Sequence, residues 1–189
     1  MKKYNRNKLE QEIHNCIKIL KNGGIILYPT DTIWGIGCDT TNQKAVNQIF
    51  QIKKREKNKP LISLVSDKIM LARYTDDFNL INYNTTDPTT YIFNNVSGLS
   101  NGIITKNKTA AFRIPNDMFC QKIISILKKP IASTSANISG EKIATKFSEI
   151  SNQIKENVDY IVNLRHNEKM TKASNIIMIN KDNTTKKIR

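Results

Sequence analysis

Apolar residues recur along the chain in short runs of two kinds, and their spacing predicts an alternation of helices and strands. From Asn7 to Lys21, Leu9, Ile13, Cys16, Ile17 and Leu20 fall at helical spacing, and Gly23-Gly24 supplies the stop. The run Ile25-Ile26-Leu27-Tyr28 is apolar without a break, as in a strand covered on both faces, and Pro29 ends it. Ala45, Val46, Ile49 and Phe50 share one face of a second helix that ends in Lys53-Lys54-Arg55. Leu61 to Val65 reads as a strand, and Ser66-Asp67 as the cap of a helix carrying Ile69, Met70, Leu71 and Tyr74. Asp76 to Pro88 is too polar to assign. Strands are expected at Thr89 to Phe93 and Thr109 to Ile114, separated by an irregular loop with Gly98 and Gly102. Asn116 or Asp117 caps a helix running through Leu127, and Pro130 to Ser133 begins another strand. A helix around Phe147 to Asn157, strands at Tyr160 to Leu164 and Ile176 to Ile179, and a basic tail ending in Lys186-Lys187-Ile188-Arg189 complete the chain. The pattern is that of an α/β protein with a mixed sheet. At 189 residues, with no internal repeat and no low-complexity linker, the chain is expected to form one domain, 1–189.

Composition adds a strong charge. Thirty Lys and Arg against sixteen Asp and Glu give a net charge of +14, which points toward polyanions. Lys, Asn and Ile are abundant throughout, however, so much of this basicity is equally explained by a solvated surface. Cys16, Cys38 and Cys120 are an odd, widely spaced set without a CxxC, as expected of buried thiols in a reducing compartment. With only His14 and His166, a zinc site is not expected. No apolar run approaches a membrane span and the N-terminus lacks a signal-peptide core, so a cytoplasmic protein without a membrane partner is expected.

The stretch Gly23 to Leu64 holds most of the candidate chemistry. Its strand runs into Pro29-Thr30-Asp31-Thr32, and Trp34-Gly35-Ile36-Gly37 follows, whose glycines allow a sharp turn or close approach to a ligand. The next helix delivers Lys53 and Arg55, with Lys59 shortly after. Hydroxyls beside a guanidinium and ammonium groups suit a ligand with phosphates and carboxylates. Two more strand ends have the same character: Arg113 before Ile114-Pro115, and Ser133-Thr134-Ser135-Ala136-Asn137. Such ends converge on ligands in open α/β sheets. Taken singly, each Ser/Thr/Asn cluster reads as a turn or cap. The chain lacks GxxxxGK[ST], a GxGxxG after a strand, a recognisable Ser-His-Asp set and a convincing carboxylate pair. Positioning and charge neutralisation fit better than acid–base work.

PTDTIWGIG, Lys53-x-Arg55, Arg113-x-Pro115 and Ser135-x-Asn137 within STSANISG together resemble the YrdC/Sua5 family, over about Gly23 to Ile179. The resemblance implies an open, twisted mixed sheet with flanking helices around a positively charged cavity, of the short single-domain type. It further implies L-threonylcarbamoyladenylate synthesis from L-threonine, bicarbonate or CO2, and ATP, with pyrophosphate as co-product. That reaction is the first step of N6-threonylcarbamoyladenosine modification at position 37 of tRNA. By matching position, Thr32 and Arg113 would hold L-threonine, with Ser135 between the two substrates. Arg55 and Lys59 would contact the ATP phosphates and Lys53 would line the same wall, Lys53 and Arg55 being the catalytic pair. Asn137, Thr109, Thr145 and Ser174 would line the nucleotide pocket. Mg2+ would accompany ATP, no side chain being assigned to it, and separate transferase proteins would take the product. Contact with tRNA is a further expectation.

Several positions depart from the family pattern. Trp34 stands where tyrosine is common, Asp31 replaces a frequent glutamate, Leu64 a histidine and Asn175 a threonine. A Trp-Pro-Gly-Pro-x-Thr segment is reduced to Thr86-Asp87-Pro88-Thr89-Thr90. Two other functions therefore stay open: a non-catalytic YrdC-like RNA-binding protein, and a relative that adenylates another carbamate.

Overall fold

The computed structural model describes residues 5–80 and 87–189, and its centre is one nine-stranded mixed sheet. Helix α1, Arg6–Lys21, is capped by the Asn5 side chain, which accepts from the Asn7 and Lys8 amides. β1 (Ile26–Pro29) and β2 (Trp34–Gly37) form an antiparallel hairpin. α2 (Gln43–Ile52), β3 (Ile62–Leu64) and the single-turn α3 (Lys68–Leu71) follow. Then come β4 (Thr89–Phe93), β5 (Ala110–Arg113), α4 (Met118–Leu127) and β6 (Ile131–Ser135). The short α5 (Asn152–Lys155), β7 (Tyr160–Ile161), β8 (Asn175–Ile179) and β9 (Thr185–Lys187) close the chain. The spatial order is β7-β1-β2-β6-β3-β5-β4-β8-β9.

Alternation along β1 explains why its sequence is apolar without a break. Ile26 and Tyr28 join a cluster with Leu9, Ile13, Cys16 and Leu20 of α1 and Phe119, Ile123 and Ile124 of α4. Ile25 and Leu27 join a second cluster with Val46, Ile49 and Phe50 of α2 and Trp34 and Ile36 of β2. The strand is covered on both sides, so neither face needs polar residues. All three cysteines are buried and free, as their spacing led us to expect.

Four expected elements are corrected. Trp34-Gly35-Ile36-Gly37 is not a turn but β2, and its glycines serve strand packing: a Cβ on Gly37 would lie 2.3 Å from the Ala132 carbonyl oxygen. β6 runs two residues past Ser133, pairing with β2 through Gly35↔Ser135. The helix expected over Phe147 to Asn157 is a 3-10 turn, Phe147–Glu149, and the four residues of α5. The basic tail is an edge strand, β9, antiparallel to β8. The helix expected after Ser66-Asp67 does form, with the Asp67 carboxylate accepting from the Met70 amide, but Ile69 is 71% exposed. A 3-10 turn, Asp76–Leu80, begins the polar segment, whose remainder through residue 86, including Thr86 of the altered wall, lies outside the described residues.

Candidate functional site

The β1–β2 turn is shaped by Thr30. Its hydroxyl donates to the Ile33 carbonyl (2.8 Å), accepts from the Thr32 and Ile33 amides, and lies 2.8 Å from the Thr32 hydroxyl. Thr32 Oγ1 accepts from Arg113 Nη1 at 3.1 Å, so the two hydroxyls and the guanidinium form one buried group. The same Nη1 is 3.1 Å from Asp31 Oδ1, and Asp31 Oδ2 accepts from the Asn116 amide. Thr32 and Arg113 are about 5% exposed, and Arg113 Nε has no hydrogen-bond partner among the described residues. A buried guanidinium with an unused N–H is a donor waiting for an acceptor, since leaving it unpaired is costly.

Lys53 and the end of β6 form a second group. The Lys53 side chain is buried, and its ammonium donates to the carbonyls of Ser135 and Asn137. The Asn137 amide donates to the Ile138 carbonyl (3.1 Å) and the Glu141 carbonyl (2.7 Å). Burial, and then the neighbouring Arg55 charge, bring the Lys53 pKa down to about 7. Lys53 is thus a strut under the Ser135-x-Asn137 loop, with its ammonium turned onto backbone. β2 connects the two groups, because Gly35, three residues beyond Thr32, is the register partner of Ser135.

Arg55 and Lys59 shape a separate loop after α2. Arg55 Nε donates to the Lys59 carbonyl (2.7 Å) and Nη2 to the Pro60 carbonyl (3.2 Å), while the exposed Lys59 ammonium lies 3.4 Å from Glu56. Partial burial lowers the Arg55 pKa. Thr109 is hydroxyl-bonded to Thr105 (2.7 Å), and Thr145 donates through amide and hydroxyl to Glu149. Ser174 is buried against Thr90 (2.9 Å), and its carbonyl accepts from Arg189 at the end of the chain. Leu64 is fully buried in the α1/α4 cluster.

Of the three polar strand ends, the structure brings the Thr32 turn and Arg113 into direct contact. β5 is parallel to β3 and β6 antiparallel to it, so Arg113 and Ser135 end strands that run in opposite directions. Arg113 nevertheless meets Thr32 through its side chain. Sequence reasoning passed over Arg165, whose Nη1 donates to the Thr30 carbonyl (2.8 Å) and Asp117 Oδ2 (2.9 Å). A lone arginine in a polar stretch carries no periodic signal. His166, expected neither in a zinc site nor in a catalytic triad, stacks on Phe147 at 3.8 Å, beside Trp34. Among the described residues no three His, Cys, Asp or Glu side chains gather to hold a metal, and no helix is long and apolar enough to cross a membrane.

Comparison with known proteins supplies the family. A protein of Methanocaldococcus jannaschii, provisionally named threonylcarbamoyl-AMP synthase, is 33% identical over 181 residues, 92% of this chain and 84% of its own. The crystal structure of E. coli YciO superposes with a TM-score of 0.81 at 24% identity, over 95% of this chain and 89% of that one. P. abyssi Sua5, crystallised with L-threonine, gives a TM-score of 0.77 at 22% identity over 89% of this chain. The matched region is about half of that protein's length, 51%. At these identities the structural likenesses are likenesses of fold. The family profile described as "Telomere recombination", which unites Sua5, YciO and YrdC, matches residues 18–189. With an open twisted sheet in common with YciO and Sua5 and a match over nearly all its length, the chain belongs to the Sua5/YciO/YrdC family.

Proposed function

We propose that the protein is an L-threonylcarbamoyladenylate synthase, a nucleotidyltransferase. The observation that carries this reading is the buried Thr32–Arg113 pair, a hydroxyl beside a guanidinium whose Nε–H has no partner among the described residues. A small amino acid with a carboxylate and a hydroxyl answers both. Arg113 would take the carboxylate as a charge-assisted acceptor, and Thr32 the substrate hydroxyl. The naming of the M. jannaschii relative and the threonine complex of P. abyssi Sua5 support the choice of amino acid.

The substrate amine adds to CO2 with release of a proton, or to bicarbonate with loss of water, to give a carbamate. A carbamate oxygen then attacks the α-phosphorus of ATP, and the bond to the pyrophosphate oxygen breaks. Ser135, set by the Lys53 strut, would lie between the two substrates and Asn137 on the nucleotide. Arg55 and Lys59 would lie against the phosphates, with Thr109, Thr145 and Ser174 on the nucleotide. Arg55 would offset charge that grows as pyrophosphate departs. Mg2+ would arrive on the ATP phosphates, a mode of binding that needs few or no protein carboxylates and so fits the residues present. The ion would supply charge neutralisation on the phosphates. The adenylate would pass to transferase proteins that modify adenosine 37 of tRNA, in the cytoplasm.

The test is pyrophosphate release from ATP, bicarbonate and Mg2+, with and without L-threonine. Release should require threonine. Arg55→Ala should lower kcat/KM by about 10²- to 10³-fold, as loss of one transition-state donor does elsewhere. Threonine-independent or absent release from folded protein would leave RNA binding or another carbamate as the function.

A further inference from the structure

Arg165 stands outside every motif, yet it joins three segments of the molecule. It follows β7 and adopts φ 60, the left-handed region that costs a side-chain-bearing residue and persists where surrounding contacts impose it. Its side chain is 10% exposed. Nη1 donates to the Thr30 carbonyl at 2.8 Å and to Asp117 Oδ2 at 2.9 Å, while Nε donates to Glu168 Oε2 at 2.8 Å. Both ends of this span matter to the pocket. Thr30 is the residue whose hydroxyl fixes Thr32, and Asp117 caps α4 by accepting from the Cys120 amide. The same two segments are tied again where Asp31 accepts from the Asn116 amide and where Cys120 Sγ donates to the Pro29 carbonyl. The hairpin turn is therefore held on one side by Arg113 and on the other by Arg165.

We propose that Arg165 is a positioning residue for the amino-acid pocket: its guanidinium fixes the Thr30–Thr32 turn to the start of α4 without touching substrate. The inference rests on the threonine-binding reading given above. The planar fork serves three acceptors at once, which a lysine ammonium cannot reproduce in the same geometry. Removing it frees the Thr30 carbonyl, and the Thr32 hydroxyl loses its fixed distance from Arg113. Small displacements of a binding group are expensive where substrate must be held in one pose.

Two variants separate the side chain from the backbone. Arg165→Gln removes the charge and the fork, and Arg165→Gly removes the side chain while relaxing the left-handed conformation. Pyrophosphate release is measured against L-threonine at saturating ATP, and against ATP at saturating L-threonine, with thermal unfolding followed in parallel. In both variants the KM for L-threonine should rise about ten- to a hundredfold, far more than kcat falls or the KM for ATP changes. Arg165→Lys should recover part of the loss. A KM for threonine within twofold of wild type in either folded variant would overturn the inference while the function stands. No threonine-dependent release from the wild type would overturn both.

Discussion

Lys53 holds an ammonium in a place that water does not reach, and its titration is the plainest consequence of that placement. Burial, with Arg55 nearby, brings its pKa to about 7, below the roughly 10.4 of an unfolded lysine. As pH rises, the folded chain therefore releases this proton first, and between the two values the unfolded chain binds more protons. Stability then increases with pH across that window. Below about pH 7 both states carry the proton and the cost of burying the charge is present in full. The thiols of Cys16, Cys38 and Cys120 are raised by burial and act in the opposite sense, once unfolded thiols ionise near pH 8.5. The window between about pH 7 and 8.5 thus belongs to Lys53. Urea unfolding of the wild type should show stability rising there, and Lys53→Met should remove that rise. Parallel slopes in both proteins would show that Lys53 remains charged in the fold.

Strands and helices were legible to the extent that they bury a face. α1, α2, α4 and β1 place apolar residues against one or both clusters, and their spacing announced them. β9 is exposed at all three positions and carries two lysines, so it leaves no apolar trace; backbone pairing with β8 alone makes it a strand. β2 was hidden for another reason. Its two glycines are usual in turns, but here they let β2 approach β6 so closely that no side chain fits between them. Gly37→Ala should accordingly break the β2–β6 pairing and cost about 3 kcal/mol or more, since the obstacle is a backbone carbonyl that cannot swing aside. A thermal melt decides: a midpoint unchanged from wild type would mean that the strands can part without loss. The same limits governed the site. Thr32, Arg113 and Asn137 lie in polar motifs at strand ends and Lys53 in a basic run at the end of α2, whereas Arg165 acts through two segments distant in sequence and shows itself only in three dimensions.

At the scale of the whole molecule the charge of +14 and the candidate site make separable claims. Charge spread over a surface attracts any polyanion, independent of sequence, and counterion release makes that attraction fall steeply with salt. The Thr32–Arg113–Asp31 group is buried, and interactions removed from water are screened far less than those of exposed charges. Any tRNA held by this surface charge should therefore bind at least about tenfold more weakly at 200 than at 50 mM KCl, as a sequence-independent contact to several phosphates does. The KM for L-threonine should change less than about twofold over that range, because on the proposed reading Arg113 holds the carboxylate out of reach of the counterions. Filter binding and pyrophosphate release, run on one preparation across the same salt series, measure the two together. A threonine KM that climbs with salt as steeply as RNA affinity falls would mean that the amino acid meets its cation in water. Arg113 would then no longer be the group that holds the carboxylate.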